Sequence, residues 1–175
     1  MKKITSIIAI ATLSIAFSTT ASAQVTANAP TTATIVAPIA IAKNVDMKFG
    51  NVAVSTALGT VVMPAASGTP TRTLTGGVTL PTVTGSPTAA KFTVTGEGEY
   101  TYAITLPGSD LTLTETVGSV ETMTVGTFTS LPSATGTLSS GTQDLYVGAT
   151  LNVGGSQTAG LYENTTGFAV TVNYN

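Results

Sequence analysis

The chain has 175 residues, only 8% of them charged, and contains no Cys, His or Trp. That inventory excludes disulfides, zinc sites made from His and Cys, and the Ser–His and Cys–His pairs of nucleophilic catalysis. Six basic residues against eight acidic ones give a net charge of −2 with no basic patch, so nucleic acid is not an expected partner.

Lys2 and Lys3 precede an apolar run over 7–17, and "ASAQ" places small residues at Ala21 and Ala23. Residues 1–23 therefore read as a signal peptide cleaved after Ala23. The run is too short, and too often broken by Thr and Ser, for the roughly 20 apolar residues of a membrane anchor. No later stretch is apolar enough either, so no membrane span is expected after cleavage. The expected mature chain, 24–175, is one domain exported through the inner membrane to the periplasm, cell surface or medium. Without Lys2 and Lys3 it has four basic residues against eight acidic ones, a net charge of −4. Thr takes the place of the missing charge, and its β-branched side chain favours strands.

Apolar residues recur with period two almost everywhere, and Gly and Pro interrupt the chain too often for long helices. Ala33, Ile35, Ala37, Ile39 and Ile41 share one parity and form a candidate first strand, with Pro38 suiting an edge or a bend. "VDMKFGNVAV" and "GTVVMPA" follow. "TRTLTGGVTLPTV" predicts two short strands about Gly76-Gly77. "AKFTVTGEGEYTYAITLPG" predicts the clearest hairpin. One arm aligns Phe92 and Val94, the other aligns Tyr100, Tyr102, Ile104 and Leu106, and 96–99 supplies the turn. "LTLTETV", "ETMTVGTFTS" and "DLYVGATLNVGG" add strands, the last with Leu145, Val147, Ala149, Leu151 and Val153 on one face. A terminal strand aligns Phe168, Val170, Val172 and Tyr174. The total is about nine or ten strands at short spacing, which predicts an all-β sandwich.

No residue set points to catalysis, so no enzyme activity and no cofactor are expected. Glu97 and Glu99 are the closest carboxylate pair, but they sit in a Gly-flanked turn where acids are ordinarily just solvated. Asp46, Asp110, Asp144 and Glu163 lie near strand ends but lack the D-x-[DN]-x-[DN]-G calcium pattern, so no metal site is expected. Asn164-Thr165-Thr166 matches the weak N-x-[ST] sequon. The tyrosines (Tyr100, Tyr102, Tyr146, Tyr162, Tyr174) suit core or cross-strand roles better than a sugar-stacking surface.

"ATIVAPIAIAKNVDMKFGNV", "AKFTVTGEGEYTYAITLP" and "LYVGATLNVGGSQTAGLYENTTGFAVTVNY" together resemble an exported bacterial family of unknown function, numbered 4402 among such domains. Its marks are Phe49-Gly50, the "VGATLNV" stretch, the turn over 157–160 and the final alternating strand. That family is similar in turn to spore-coat-U-type and chaperone–usher-type pilin subunits. The resemblance implies an immunoglobulin-like, pilin-like sandwich lacking one strand, completed by a neighbour's N-terminal extension, for which Ala33 to Ile41 is the candidate donor in place of a first strand of its own domain. It also implies a last strand with an aromatic next to last, the position of Tyr174, flanking the groove and read by a chaperone. The cysteine pair common in classical pilins is absent here.

Two function classes follow. One is a non-enzymatic fimbrial or pilin-like subunit, structural or adhesive, assembling through its N- and C-terminal strands. Its partners would be further copies or a periplasmic chaperone and usher. The other is a self-complete secreted module that binds glycan or matrix as a monomer.

Overall fold

The structure is a computed structural model and describes residues 23–118 and 121–175. All but the last residue of the expected signal peptide lie outside the described residues. The chain forms two units. The described residues of the first, 23–34, carry no strand and are exposed. The second, Ile35–Asn175, holds the strands.

These strands build two antiparallel sheets. The large one runs β1 (Ala40–Val45), β4 (Ala90–Thr95), β9 (Thr142–Val153), β7 (Thr122–Leu131), β6 (Leu111–Glu115), β10 (Tyr162–Glu163). A hairpin of β2 (Ala53–Met63) and β3 (Thr73–Thr79) joins the same sheet through the second half of β9. The small sheet runs β11 (Thr171–Tyr174), β5 (Thr101–Thr105), β8 (Thr135–Thr137). The all-β sandwich expected from the sequence is present, with eleven strands among the described residues rather than nine or ten.

β9 is the axis of the fold. Leu145, Val147, Ala149, Leu151 and Val153 are all buried on one face, as a period of two requires. Their two halves serve different cores. Leu145 and Val147 pack with Phe92 and Val94 of β4 against Tyr102 and Val172 of the small sheet. Ala149, Leu151 and Val153 pack with Val61, Val78 and Val125, covered by Met47, Phe49 and Val52 from the β1–β2 connection. Phe128 touches both cores because β7 carries one extra residue between Gly126 and Thr129, with Thr127 at φ 49°. That bulge flips the parity of the strand and turns Phe128 inward.

The outer face of the second half explains the Thr content. Thr75, Thr60, Asn152, Thr124 and Thr112 stand in register across five strands. Thr60 and Thr75 share a hydroxyl bond of 2.6 Å, and Asn152 Nδ2 donates to Thr124 Oγ1 at 3.1 Å.

Four expectations need correction. The "clearest hairpin" is a corner: β4 and β5 do not pair but lie in different sheets, with Val94 and Tyr102 facing each other across one core. Alternation reports which residues point inward, not which strand lies alongside. Gly76-Gly77 is not a turn but the middle of β3, where Gly76 at φ +65° passes so close to β2 that a Cβ would lie 2.2 Å from the Leu58 carbonyl. The first strand begins at Ala40, not Ala33, because Pro38 has no N–H for a ladder. The last strand begins at Thr171, so Phe168 and Val170 precede it while still packing on the first core.

Candidate functional site

Two strand edges meet at one side of the sandwich. β1 is the outermost strand of the large sheet and β11 of the small one, and the two touch. Among the described residues, no strand pairs with the outer side of either. This seam gathers most of the residues that the sequence singles out. Val172 is buried, and Phe168, Val170 and Tyr174 pack beside it on the first core, as do Ile39 and Ile41. Phe168 lies edge-on to Phe92 at 6.3 Å and tilted against Phe128 at 4.9 Å. Ile35, by contrast, is 97% exposed, and Ala33 belongs to the other unit.

Ala37 holds the seam shut at one end. Its main chain joins no ladder, yet both of its polar groups are satisfied by side chains. Tyr174 Oη donates to the Ala37 carbonyl at 2.8 Å, and the Ala37 N–H donates to Glu97 Oε2 at 2.9 Å. Tyr174 Oη also accepts the Glu97 N–H at 2.6 Å. Gly96 makes this possible, since a Cβ there would lie 2.2 Å from Tyr174 Oη. Tyr100 braces the Tyr174 ring edge-on at 5.6 Å. Glu97, read from the sequence as a solvated turn residue, thus works in the seam. The signal for it was the Gly on either side, which marks close backbone approach as well as turns.

The remaining candidates do not converge. Glu99 accepts the Ser140 N–H at 3.3 Å. Tyr102 is fully buried, its hydroxyl donates to Gln143 Oε1 at 2.8 Å, and burial pushes its pKa up. Tyr146 lies under Lys91 Nζ at 5.9 Å, and Lys91 pairs with Asp144 at 2.9 Å, whose carboxyl that bond holds below its usual range. Asp46 bonds Lys43, with the same effect on its carboxyl. Asp110 sits over Gly126. Tyr162 donates to the Thr158 carbonyl at 2.8 Å and to Glu121 at 3.2 Å. Among the described residues, no three His, Cys, Asp or Glu residues are placed to hold a metal.

Glu163 and Asn164 line a polar cleft of about 330 Å³ beside β10. Both ends of the Asn164 amide are engaged: Nδ2 donates to the Thr112 carbonyl at 2.8 Å, and Oδ1 accepts the Gly167 N–H at 2.9 Å. A second cleft of about 330 Å³ lies on the β8 side of β5, walled by Ile104, Leu106 and Phe128. No helix among the described residues is long and apolar enough to cross a membrane.

Arg72, the single arginine of the chain, was not singled out from the sequence. It is 8% exposed, and Nη1 donates to the carbonyls of Phe49 and of Asn51, the latter at 3.1 Å. Burial lowers its pKa. It pins the connection that covers the second core.

A family model described as a domain of unknown function (DUF4402) matches residues 39–174, and the chain belongs to that family. Neither the curated proteins nor the solved structures yield a match.

Proposed function

We propose that this member of the DUF4402 family is a non-enzymatic exported subunit of the cell surface, similar to spore-coat-U and chaperone–usher pilin subunits. It assembles with further copies by adding a strand at the seam between β1 and β11. A periplasmic chaperone and usher are the partners this reading implies.

One observation carries the proposal. The outer edge of β11 meets no described strand, while its side chains pack into the core. A regular edge of this kind invites pairing unless Lys, Pro or a covering element blunts it. Residues 168–175 contain neither Lys nor Pro. A strand added here would satisfy β11 main-chain groups and lay its alternate side chains beside Phe168 and Val170.

The test is the mass of the mature protein, taken from the periplasm and measured by size-exclusion with light scattering over a range of concentrations. The expected result is a ladder of stable oligomers that deletion of 33–41 abolishes. A sharp monomer at every concentration overturns it. The self-complete binding module would then lead, favoured by the closure of the seam by the chain's own Tyr174 and Ile39.

A further inference from the structure

We infer that Tyr174 and Glu97 form a releasable catch on Ala37, which keeps the seam shut in the free subunit and sets how readily it opens.

The two sides of this contact differ in rigidity. Tyr174 is held whatever residues 35–39 do. Its strand pairs with β5 in register, with Tyr174 opposite Tyr102, and the Asn175 N–H donates to the Thr101 carbonyl at 3.2 Å. Asn175 Nδ2 adds a bond to Thr101 Oγ1 at 2.9 Å, and Tyr100 braces the ring. Glu97 sits on the corner that joins the two sheets, tied by the Gly96 N–H to the Gly141 carbonyl at 3.0 Å. Tooth and seat are therefore preorganised.

Residues 35–39 are the loose side. The last pair that β1 makes with β4 is Ala40 with Thr95. Pro38 cannot donate, and the residue before a proline is driven to an extended backbone. Ala37 is thus presented extended, with both polar groups free of any ladder, and the catch takes both. Ala37 is solvent-exposed, so water competes for each bond. An exposed clasp on an extended strap fits a contact that opens while the fold stays intact. Opening it frees the strap up to β1, and with it Ile39, one of the side chains that fill the seam.

The link from catch to assembly rests on the strand-addition reading above; the catch itself does not. The test is native-state hydrogen exchange on the full mature chain, with Tyr174→Phe, Glu97→Ala and, as a control on the same corner, Glu99→Ala. Tyr174→Phe keeps the ring and removes only the hydroxyl. The expected result is an Ala37 amide that exchanges about tenfold faster in Tyr174→Phe and Glu97→Ala, since one such bond contributes roughly the free energy of a tenfold change. Amides of Val94 and Leu145 stay as in the parent, and Glu99→Ala leaves Ala37 as it was. An unchanged Ala37 amide in both catch variants overturns the inference. Light scattering on the same samples separates the two ideas. Faster exchange in a persistent monomer keeps the catch and removes the assembly reading. Oligomers that form with Ala37 exchange unaltered do the reverse.

Discussion

The segments on either side of β1 do similar work and are fastened in opposite ways. Residues 35–39 lead into β1 and place Ile39 on the first core; residues 46–52 leave β1 and place Met47, Phe49 and Val52 on the second. The leading segment is caught at one exposed residue by two side chains. The trailing one is pinned by a buried guanidinium and by main-chain bonds: Lys48 and Thr88 exchange both of theirs at 2.9 Å, and the Asn51 N–H donates to the Thr84 carbonyl at 2.8 Å. Gly50 at φ +71° lets this connection turn, and a Cβ there would strike the Thr84 carbonyl at 2.3 Å. The Arg72 bonds are part-buried and charge-assisted, whereas both bonds on Ala37 are exposed, so water replaces the latter more readily. The difference teaches that the number and charge of the bonds, more than their burial, separate the two coverings.

The largest blow to that contrast is Arg72→Met. It keeps apolar bulk but strips charge-assisted bonds from two carbonyls, for an expected loss of about 3 kcal/mol. The urea midpoint should fall, and amides over 46–52 should lose protection while Ala37 keeps its own. Equal loss at both segments would break the distinction.

Gly96→Ala is the milder counterpart. Its Cβ would lie 2.2 Å from Tyr174 Oη and 2.9 Å from Leu138 Cδ1, so the Tyr174 tooth must shift. Overpacking of this kind costs about 1–2 kcal/mol. The expected signature is faster exchange at Ala37 with 46–52 unmoved, read by the same measurement.

The smallest effect is a control away from both segments. The Thr158 N–H, donating at 2.8 Å, is the chief cause that holds the Glu121 carboxyl below its usual range, helped by the Thr158 hydroxyl at 2.7 Å. A depressed folded pKa stabilises above the unfolded value, near 4.3, and that help is lost as pH falls through the folded one. Acidification through that range should therefore lower the protection factor of the Thr158 amide, its rate taken relative to the intrinsic rate at each pH, and Glu121→Gln should flatten that response. Loss of protection at 46–52 in Glu121→Gln at neutral pH would show that the loops do not open independently.

Much of the inward face was legible in the residues. The alternation in "DLYVGATLNVGG" named the five buried apolar side chains on one face of β9, and that in "GFAVTVNYN" named the four residues that the C-terminal segment brings to the seam. What stayed hidden was pairing. Period two in "AKFTVT" and "YTYAIT" is the same whether the strands lie side by side or face to face, and here they face. Gly96 reads as a turn residue in sequence, yet its lack of a side chain is what admits the Tyr174 hydroxyl. Arg72 carried no local signal, because its partners at Phe49 and Asn51 lie more than twenty positions away.

By itself the sequence determined the all-β class, the inward face of most strands and a Thr-clad outer surface. Those follow from side-chain period and composition, which are local properties of the chain. Only the tertiary structure decided that β4 and β5 belong to different sheets, that β1 and β11 meet at a seam, and that Tyr174 reaches back to Ala37. Such contacts join residues far apart in the chain, 137 positions in that last case. Chain geometry alone sets them, through where each corner turns and which glycine leaves room.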